Sequence, residues 1–121
     1  MSFSVAARII AAVCAVLAVV WIFFPTLYTP AYGVAADAGA QFMTRRAAPM
    51  FVGQVVILWV AASQPRSALR DAVALGVSVI FAGIAMTGIV AFAQGVAAPT
   101  ILIAALFECL AAIVLWVTRK N

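Results

Sequence analysis

Four long apolar segments, separated by short polar or proline-marked breaks, constrain the fold of this chain more than any other feature. They cover approximately residues 5–24, 47–63, 68–95 and 99–118. An α-helix of about 20 residues crosses the roughly 30 Å hydrocarbon core of a bilayer. Because backbone groups in lipid must be hydrogen-bonded within the protein, and these segments lack the alternation of barrel strands, each is expected to be a transmembrane helix. The sequence therefore predicts an all-α, integral membrane four-helix bundle that forms a single domain over residues 1–121.

The composition supports a membrane protein and argues against a soluble one. Hydrophobic residues make up 69% of the chain and charged residues only 8%, whereas soluble domains have about 25% charged residues. Seven Lys/Arg and three Asp/Glu residues cannot cover the surface of a soluble domain of this length. The net charge is +4, but the basic residues lie at predicted helix ends and form no patch. The lipid bilayer, not nucleic acid, is therefore the expected partner.

The first apolar segment has one alternative interpretation, a cleaved signal peptide. Arg8 would belong to its basic region, and the later stretch "YGVAADAGA" offers small residues that a peptidase accepts. The apolar run, however, exceeds the roughly 7–15 residues usual for signal peptides. We therefore expect this segment to span the membrane.

The distribution of basic residues predicts the orientation of the bundle. Four spans place both termini and the loop between the second and third helices on one side. That side carries five of the seven basic residues, namely Arg8, Arg66, Arg70, Arg119 and Lys120. Positive residues favour the cytoplasm, so a multi-pass protein of a bacterial inner membrane with both termini cytoplasmic is predicted. Arg45 and Arg46 are expected to anchor the outer interface, with Pro49 in the first turn of the second helix.

A segment of mixed polarity, residues 25–44, joins the first two predicted helices. It reads "PTLYTPAYGVAADAGAQFMT", which is too polar to span a membrane. Its aromatic residues Tyr28, Tyr32 and Phe42 suit the level of the lipid headgroups. We predict a structured loop along the outer interface, with a loose loop as the alternative.

Glu108 is the only charged residue within the fourth apolar segment, in "LIAALFECLAAIVLW". An ionised carboxylate in hydrocarbon costs several kcal/mol unless it is paired, hydrated or protonated. Counting from the outer helix ends places Glu108, Gln54, Thr87 and Cys14 at depths of about 12–15 Å. We predict one polar layer in which Gln54 and Thr87 hydrogen-bond to Glu108. The layer is either a ligand-binding or proton-handling site, or a structural contact between helices.

The sequence contains no recognisable catalytic or metal-binding pattern. It has no His, and Cys14 and Cys109 lie singly within apolar runs. Ser–His pairs, phosphate-binding glycine loops and HExxH motifs are also missing. We therefore expect no catalytic residue, no metal and no cofactor, apart from a quinone as one ligand class left open.

A stripe of small residues marks the third predicted helix. Gly83, Thr87, Ala91 and Gly95 recur every four residues. Such a stripe lets helix backbones approach closely, either inside one bundle or in a homo-oligomer.

Four short motifs occur in an order that resembles a known group of proteins. They are "FFPTLYTPAYG" after the first helix, "RRAAPMFVGQ" at the start of the second, "TGIVAFAQG" at the end of the third and "LFECLAAIVLW" in the fourth. This order resembles the DoxX-like small four-helix membrane proteins, closest to an uncharacterised branch classed as a domain of unknown function. The resemblance implies that the second-helix arginine is Arg45 or Arg46, the closing glycine Gly95 and the fourth-helix acid Glu108.

The chain departs from the DoxX-like pattern in its third helix. An arginine often follows the glycine there, whereas Ile89 follows Gly88 in this chain. An acid–arginine pair across these helices is therefore not implied. Named members of the wider group are linked to quinone and sulfur metabolism or to assembly of other membrane proteins. The resemblance therefore implies one of these two roles as an expectation.

Three function classes fit the sequence. The first is a non-enzymatic accessory or scaffold subunit of a larger membrane complex, which the missing catalytic groups and abundant small residues favour. The second is a binder or carrier of a lipophilic molecule, such as a quinone, through the layer around Glu108. The third is a small multidrug-type transporter, which also has four helices. That family carries its acidic residue in the first helix, whereas the only charged residue in the first helix of this chain is Arg8.

Overall fold

A computed structural model describes all 121 residues, and every regular element in it is helical. The elements are α1 (Phe3–Phe23), α2 (Pro25–Tyr28), a 3-10 turn (Pro30–Tyr32), α3 (Ala38–Ala62), α4 (Ala68–Ala93) and α5 (Ile101–Thr118). Helices α1, α3, α4 and α5 are long and apolar enough to cross a membrane. The predicted all-α bundle with four spanning helices is therefore confirmed, and the chain is a multi-pass membrane protein.

The four spanning helices form two pairs that pack closely within themselves and sparsely against each other. Helix α1 packs along α3, and α4 packs along α5. The largest fully buried side chains include Phe3 and Cys14 of α1, Leu58 of α3 and Leu115 of α5. Two seams separate the pairs, one between α1 and α5 and the other between α3 and α4, and each contains a groove.

The second spanning helix begins earlier than the sequence analysis predicted. We expected a start near residue 47, but Asp37 accepts a hydrogen bond from the backbone N–H of Ala40 at 2.7 Å and caps the helix there. Arg45, Arg46 and Pro49 consequently lie inside α3. An aspartate cap stabilises a helix start, and α3 continues through the exposed Pro49 although an interior proline disfavours a helix. The helix therefore begins at its Asp37 cap and not at Pro49.

The segment between α1 and α3 docks on the connection between α4 and α5, at what we call the cap end. The backbone N–H of Ala98 donates to the carbonyl of Tyr32, and the hydroxyl of Thr100 donates to the carbonyl of Ala31, both at 2.7 Å. Gly33 has φ +73°, and a Cβ at this position would lie 2.9 Å from the Cβ of Ala98. Only glycine fits both conditions. The predicted structured loop is thus confirmed.

Arg70 joins the helices at the opposite end, which we call the termini end. Its side chain is buried, with the residue 7% exposed. Its Nη2 donates to the backbone carbonyls of Arg119 at 3.3 Å and Asn121 at 2.9 Å, just beyond the last turn of α5. The guanidinium carbon also lies 4.8 Å from the centroid of the Phe3 ring. A cation at the C-terminal end of a helix is favourable, so Arg70 links α4 to α5 and α1.

We predict that Arg70→Ala lowers the free energy of unfolding by about 2 kcal/mol, because hydrogen bonds to charged groups contribute about 1.5–3 kcal/mol. The matched control is Arg66→Ala. The Arg66 side chain is 56% exposed and pairs with Asp71 at 3.7 Å, so its loss should cost less than about 1 kcal/mol. Unfolding by SDS titration in mixed micelles measures both. Equal losses for the two variants would show that Arg70 does not hold this end together.

Candidate functional site

A groove of about 540 Å³ runs along the seam between α1 and α5. Of its 19 lining residues 18 are hydrophobic, and Glu108 is the exception. Val13 on the α1 wall and Phe107 on the α5 wall are both largely exposed, so the groove opens to the surface that faces the bilayer. It is an apolar groove with a single carboxyl group.

Four aromatic side chains, Trp21, Tyr28, Tyr32 and Phe51, form an aromatic cluster where the groove reaches the cap end. The ring centroid of Trp21 lies 4.6 Å from that of Tyr28 and 4.8 Å from that of Phe51, and the rings of Tyr28 and Tyr32 are 5.2 Å apart. All three pairs are edge-to-face, which is a favoured geometry. The members of the cluster all line the groove.

The indole nitrogen of Trp21 gives the aromatic cluster an unpaired polar group. Its Nε1 is buried and has no hydrogen-bond partner in the protein. An indole N–H can only donate, and buried donors are rarely left unpaired in native proteins. Trp21 therefore carries an unpaired donor inside the aromatic cluster, and this nitrogen is too buried for a molecule in the groove to reach.

Glu108 lies beside this cluster. Burial raises the pKa of Tyr28, and the nearby Tyr32 and Glu108 raise it further. Tyr28 therefore keeps its phenolic proton at physiological pH and can donate a hydrogen bond. The only ion pair in the structure joins Arg66 to Asp71, so the half-buried carboxyl of Glu108 has no cation bound to it.

The structure brings together only part of the predicted polar layer. Gln54 is 7% exposed, and its Oε1 accepts a hydrogen bond from the thiol of Cys14 at 3.7 Å, which places both between α1 and α3. Thr87 is exposed on α4, and its hydroxyl donates to the carbonyl of Ile84 in the same helix at 2.7 Å. Neither Gln54 nor Thr87 hydrogen-bonds to Glu108. The expectation that Thr87 faces inward is therefore wrong.

The predicted anchor and the predicted stripe both face outward. Arg45 and Arg46 are exposed on α3, and their role as an interface anchor stays a prediction. Gly83 and Thr87 are exposed on α4, and a Cβ added at Gly83 would meet no atom within 4 Å. The small-residue stripe thus contributes no close contact at Gly83 within this bundle.

Trp21 and Phe51 are groove residues that the sequence analysis did not select. Trp21 lies near the end of the apolar run that Pro25 closes, and a tryptophan at that position usually indicates the membrane interface. The sequence does carry a signal for an aromatic cluster, since "WIFFPTLYTPAY" concentrates aromatic residues around the end of the first span. No signal in the sequence shows that Trp21 lacks a hydrogen-bond partner.

Comparisons of the chain with protein-family models, with curated proteins and with solved structures found no match. The resemblance to the DoxX-like group therefore stays a prediction that rests on the four motifs.

We predict that Gln54→Ala lowers the free energy of unfolding by about 2 kcal/mol, since it removes a buried contact and leaves a cavity. Glu108→Ala and Glu108→Gln should each change it by less than about 0.5 kcal/mol, because Glu108 has no partner to lose. Thermal unfolding in detergent measures all three. A loss for Glu108→Ala as large as that for Gln54→Ala would assign Glu108 to helix packing.

Proposed function

We propose that this protein binds a single lipophilic molecule within the membrane, in the groove between α1 and α5. The observation that carries this proposal is the groove of about 540 Å³ with hydrophobic walls and one carboxyl group. Small-molecule sites have volumes of about 300–1,000 Å³ and mostly apolar linings with a few polar groups that orient the ligand. The proposal modifies the predicted polar layer, because Glu108 belongs to the groove while Gln54 and Thr87 do not line it.

Binding in this groove would depend on its polar end. A tail that moves from lipid into an apolar groove exchanges one hydrocarbon environment for another, so no hydrophobic driving force favours the transfer. Shape and hydrogen bonding must then supply the affinity. The lining groups able to do so are the carboxyl of Glu108 and the hydroxyls of Tyr28 and Tyr32.

The proposal includes an orientation. The five basic residues on the side of the termini, against Arg45 and Arg46 on the other side, support a cytoplasmic termini end in a bacterial inner membrane. The aromatic cluster would then lie toward the outer leaflet, and a ligand would enter laterally from there. A quinone carrier within the DoxX-like group would agree with this arrangement.

We expect Ala104→Phe and Ala111→Phe, which place a ring in the groove, to remove a lipophilic molecule that the parent protein retains through purification. Both alanines line the groove, whereas Ala82 is exposed on α4 and does not. Ala82→Phe is therefore the matched control. Mass spectrometry of the extracted lipids, quantified per chain, measures retention. Identical lipid content in all four proteins would refute binding in the groove.

The accessory role that the sequence favours has one supporting observation, the outward face of the small-residue stripe. Gly83 is exposed and its Cα has open space beside it. Glycines on an exposed helix face allow another transmembrane helix to approach closely. A larger membrane complex or a second copy of this chain would supply that helix.

For the accessory role we expect Gly83→Leu to reduce co-purification of larger subunits, or the fraction of homo-oligomer, at least several-fold. Ala82→Leu, at the neighbouring exposed position, should leave both unchanged. Cross-linking in native membranes followed by size analysis measures both variants. An unaltered pattern for Gly83→Leu would count against the stripe as a contact surface.

A further inference from the structure

We infer that the molecule in the groove is an amphiphile with an amine head, held as an ammonium group by the carboxyl of Glu108. This inference rests on the proposed function, since it assigns the chemical class of the ligand for the same groove. It follows from the polar groups that the groove offers, from the sign of their charge and from competition with the surrounding lipid.

Three polar side chains of the groove are within reach of a ligand, those of Glu108, Tyr28 and Tyr32. All three line the groove and are half-buried. The fully buried side-chain nitrogen and oxygen atoms that lack a partner belong to other residues, namely Trp21, Thr29, Arg70 and Asp71. No hydrogen bond or ion pair within the protein engages the Glu108 carboxyl. Its oxygens are therefore open to a molecule in the groove.

The charge of the groove favours a cationic head. None of its lining residues is Lys or Arg, and Arg45 and Arg46 are exposed on α3 outside it. A carboxylate in the hydrocarbon region is costly unless it is paired, so a ligand must supply the cation. A hydrogen bond between an ammonium and a carboxylate is roughly twice as strong as a neutral one. The aromatic rings at the same end of the groove also favour a cation.

An amine fits the Glu108 carboxyl in either protonation state. A neutral amine that arrives through the lipid accepts the proton of the carboxylic acid, so the O–H bond breaks, an N–H bond forms and no charge crosses the hydrocarbon. A carboxylate pairs directly with the alkylammonium form. Both routes give the same ion pair, whose N–H groups can donate to Glu108 and to the hydroxyl oxygens of Tyr28 and Tyr32. A quaternary ammonium has no N–H and makes none of these hydrogen bonds.

Competition with the bilayer argues against the other heads. Specificity is a difference of affinities, and every phospholipid already offers ester carbonyls, so a neutral carbonyl head gains no advantage over the surrounding lipid. The phosphate of a phospholipid would lie near Glu108 without a cation from the protein, and two ionised acidic groups repel each other. An amine without a phosphate is therefore the head that this groove binds in preference to bulk lipid.

The shape of the groove determines the rest of the molecule. Beyond the aromatic cluster the walls are apolar and continue past Val13 and Ile10 to Met1 near the termini end. A flexible hydrocarbon tail attached to the head would follow this path along α1. The ligand is therefore a single-tailed amine with no second polar group along the tail.

Three probes with similar tails test the head directly: dodecylamine, tridecan-2-one and dodecanoate. Tridecan-2-one represents the neutral heads, the class to which quinones belong. Radiolabelled probe bound to the protein in phosphatidylcholine nanodiscs is measured against empty nanodiscs. We expect dodecylamine to bind most tightly and dodecanoate least tightly.

Glu108→Gln tests the carboxyl, because it keeps the size of the side chain and loses the charge. We expect the affinity for dodecylamine to fall at least about tenfold, and that for tridecan-2-one to stay the same. Asp37→Asn is the matched control. It removes the same charge from an exposed position outside the groove, and asparagine caps a helix as well as aspartate does. Equal affinities for dodecylamine in the two variants would overturn the inference.

A second measurement uses the parent protein and needs no variant. An apolar carbodiimide activates Glu108, and a bound dodecylamine then forms an amide with it while the carbodiimide takes up the water as a urea. Tandem mass spectrometry locates the amide. N,N-dimethyldodecylamine, which binds but cannot form an amide, should suppress this coupling, and tridecan-2-one at the same concentration should not. Equal suppression by both, or no amide at Glu108, would reject the amine head.

Failure of the inference and failure of the proposed function give different results. If no probe binds the parent more tightly than it binds Ala104→Phe and Ala111→Phe, the groove is not a binding site and the proposed function fails. If binding depends on these alanines but tridecan-2-one or dodecanoate binds most tightly, the groove stands and the amine head is wrong.

Discussion

Arg70 and the cap segment connect the two helix pairs at opposite ends of the bundle, and the groove depends on these two connections. At the termini end Arg70 reaches from α4 to two backbone carbonyls just beyond α5 and to Phe3 of α1. At the cap end the backbone of Tyr32 binds Ala98. Between these ends α1 and α5 touch little. A bundle held at its ends can keep an open seam along its length without separating.

Helix α1 carries side chains of different size on the face that packs on α3 and on the face that lines the groove. Helix α1 presents Ala7, Ala11 and Cys14 to α3, and all three are fully buried. Transmembrane helices associate through close packing, because lipid tails are as apolar as leucine and provide no hydrophobic driving force. The α1 surface that lines the groove instead carries branched residues such as Ile10 and Val13. The groove-lining surface of α1 is therefore bulkier than the surface that packs on α3, although Ala6 of α1 and Ala104 and Ala111 of α5 also line the groove.

The sequence predicts positions along the membrane normal better than positions around a helix axis. Hydropathy and charge located all four spans, since each of those properties depends only on composition along the chain. The depth of Thr87 follows from counting residues, but its direction depends on which face of α4 packs on α5, and that face contains Phe81 and Ala85. The predicted start of α3 was wrong for a different reason. Asp37 and Pro49 are competing signals, and their relative strength depends on exposure that the sequence does not give.

The aromatic cluster shows the same limit for the candidate site. Glu108 could be identified from sequence because a single carboxyl in an apolar run is conspicuous. The unpaired nitrogen of Trp21 could not be identified, because a missing hydrogen-bond partner is a property of the packed structure. A missing hydrogen-bond partner matters more in a membrane than in water, because lipid tails cannot replace it. Apolar walls cannot distinguish a ligand tail from the surrounding lipid, so in the binding role proposed above the few polar atoms at one end of the groove would determine which molecule is held there.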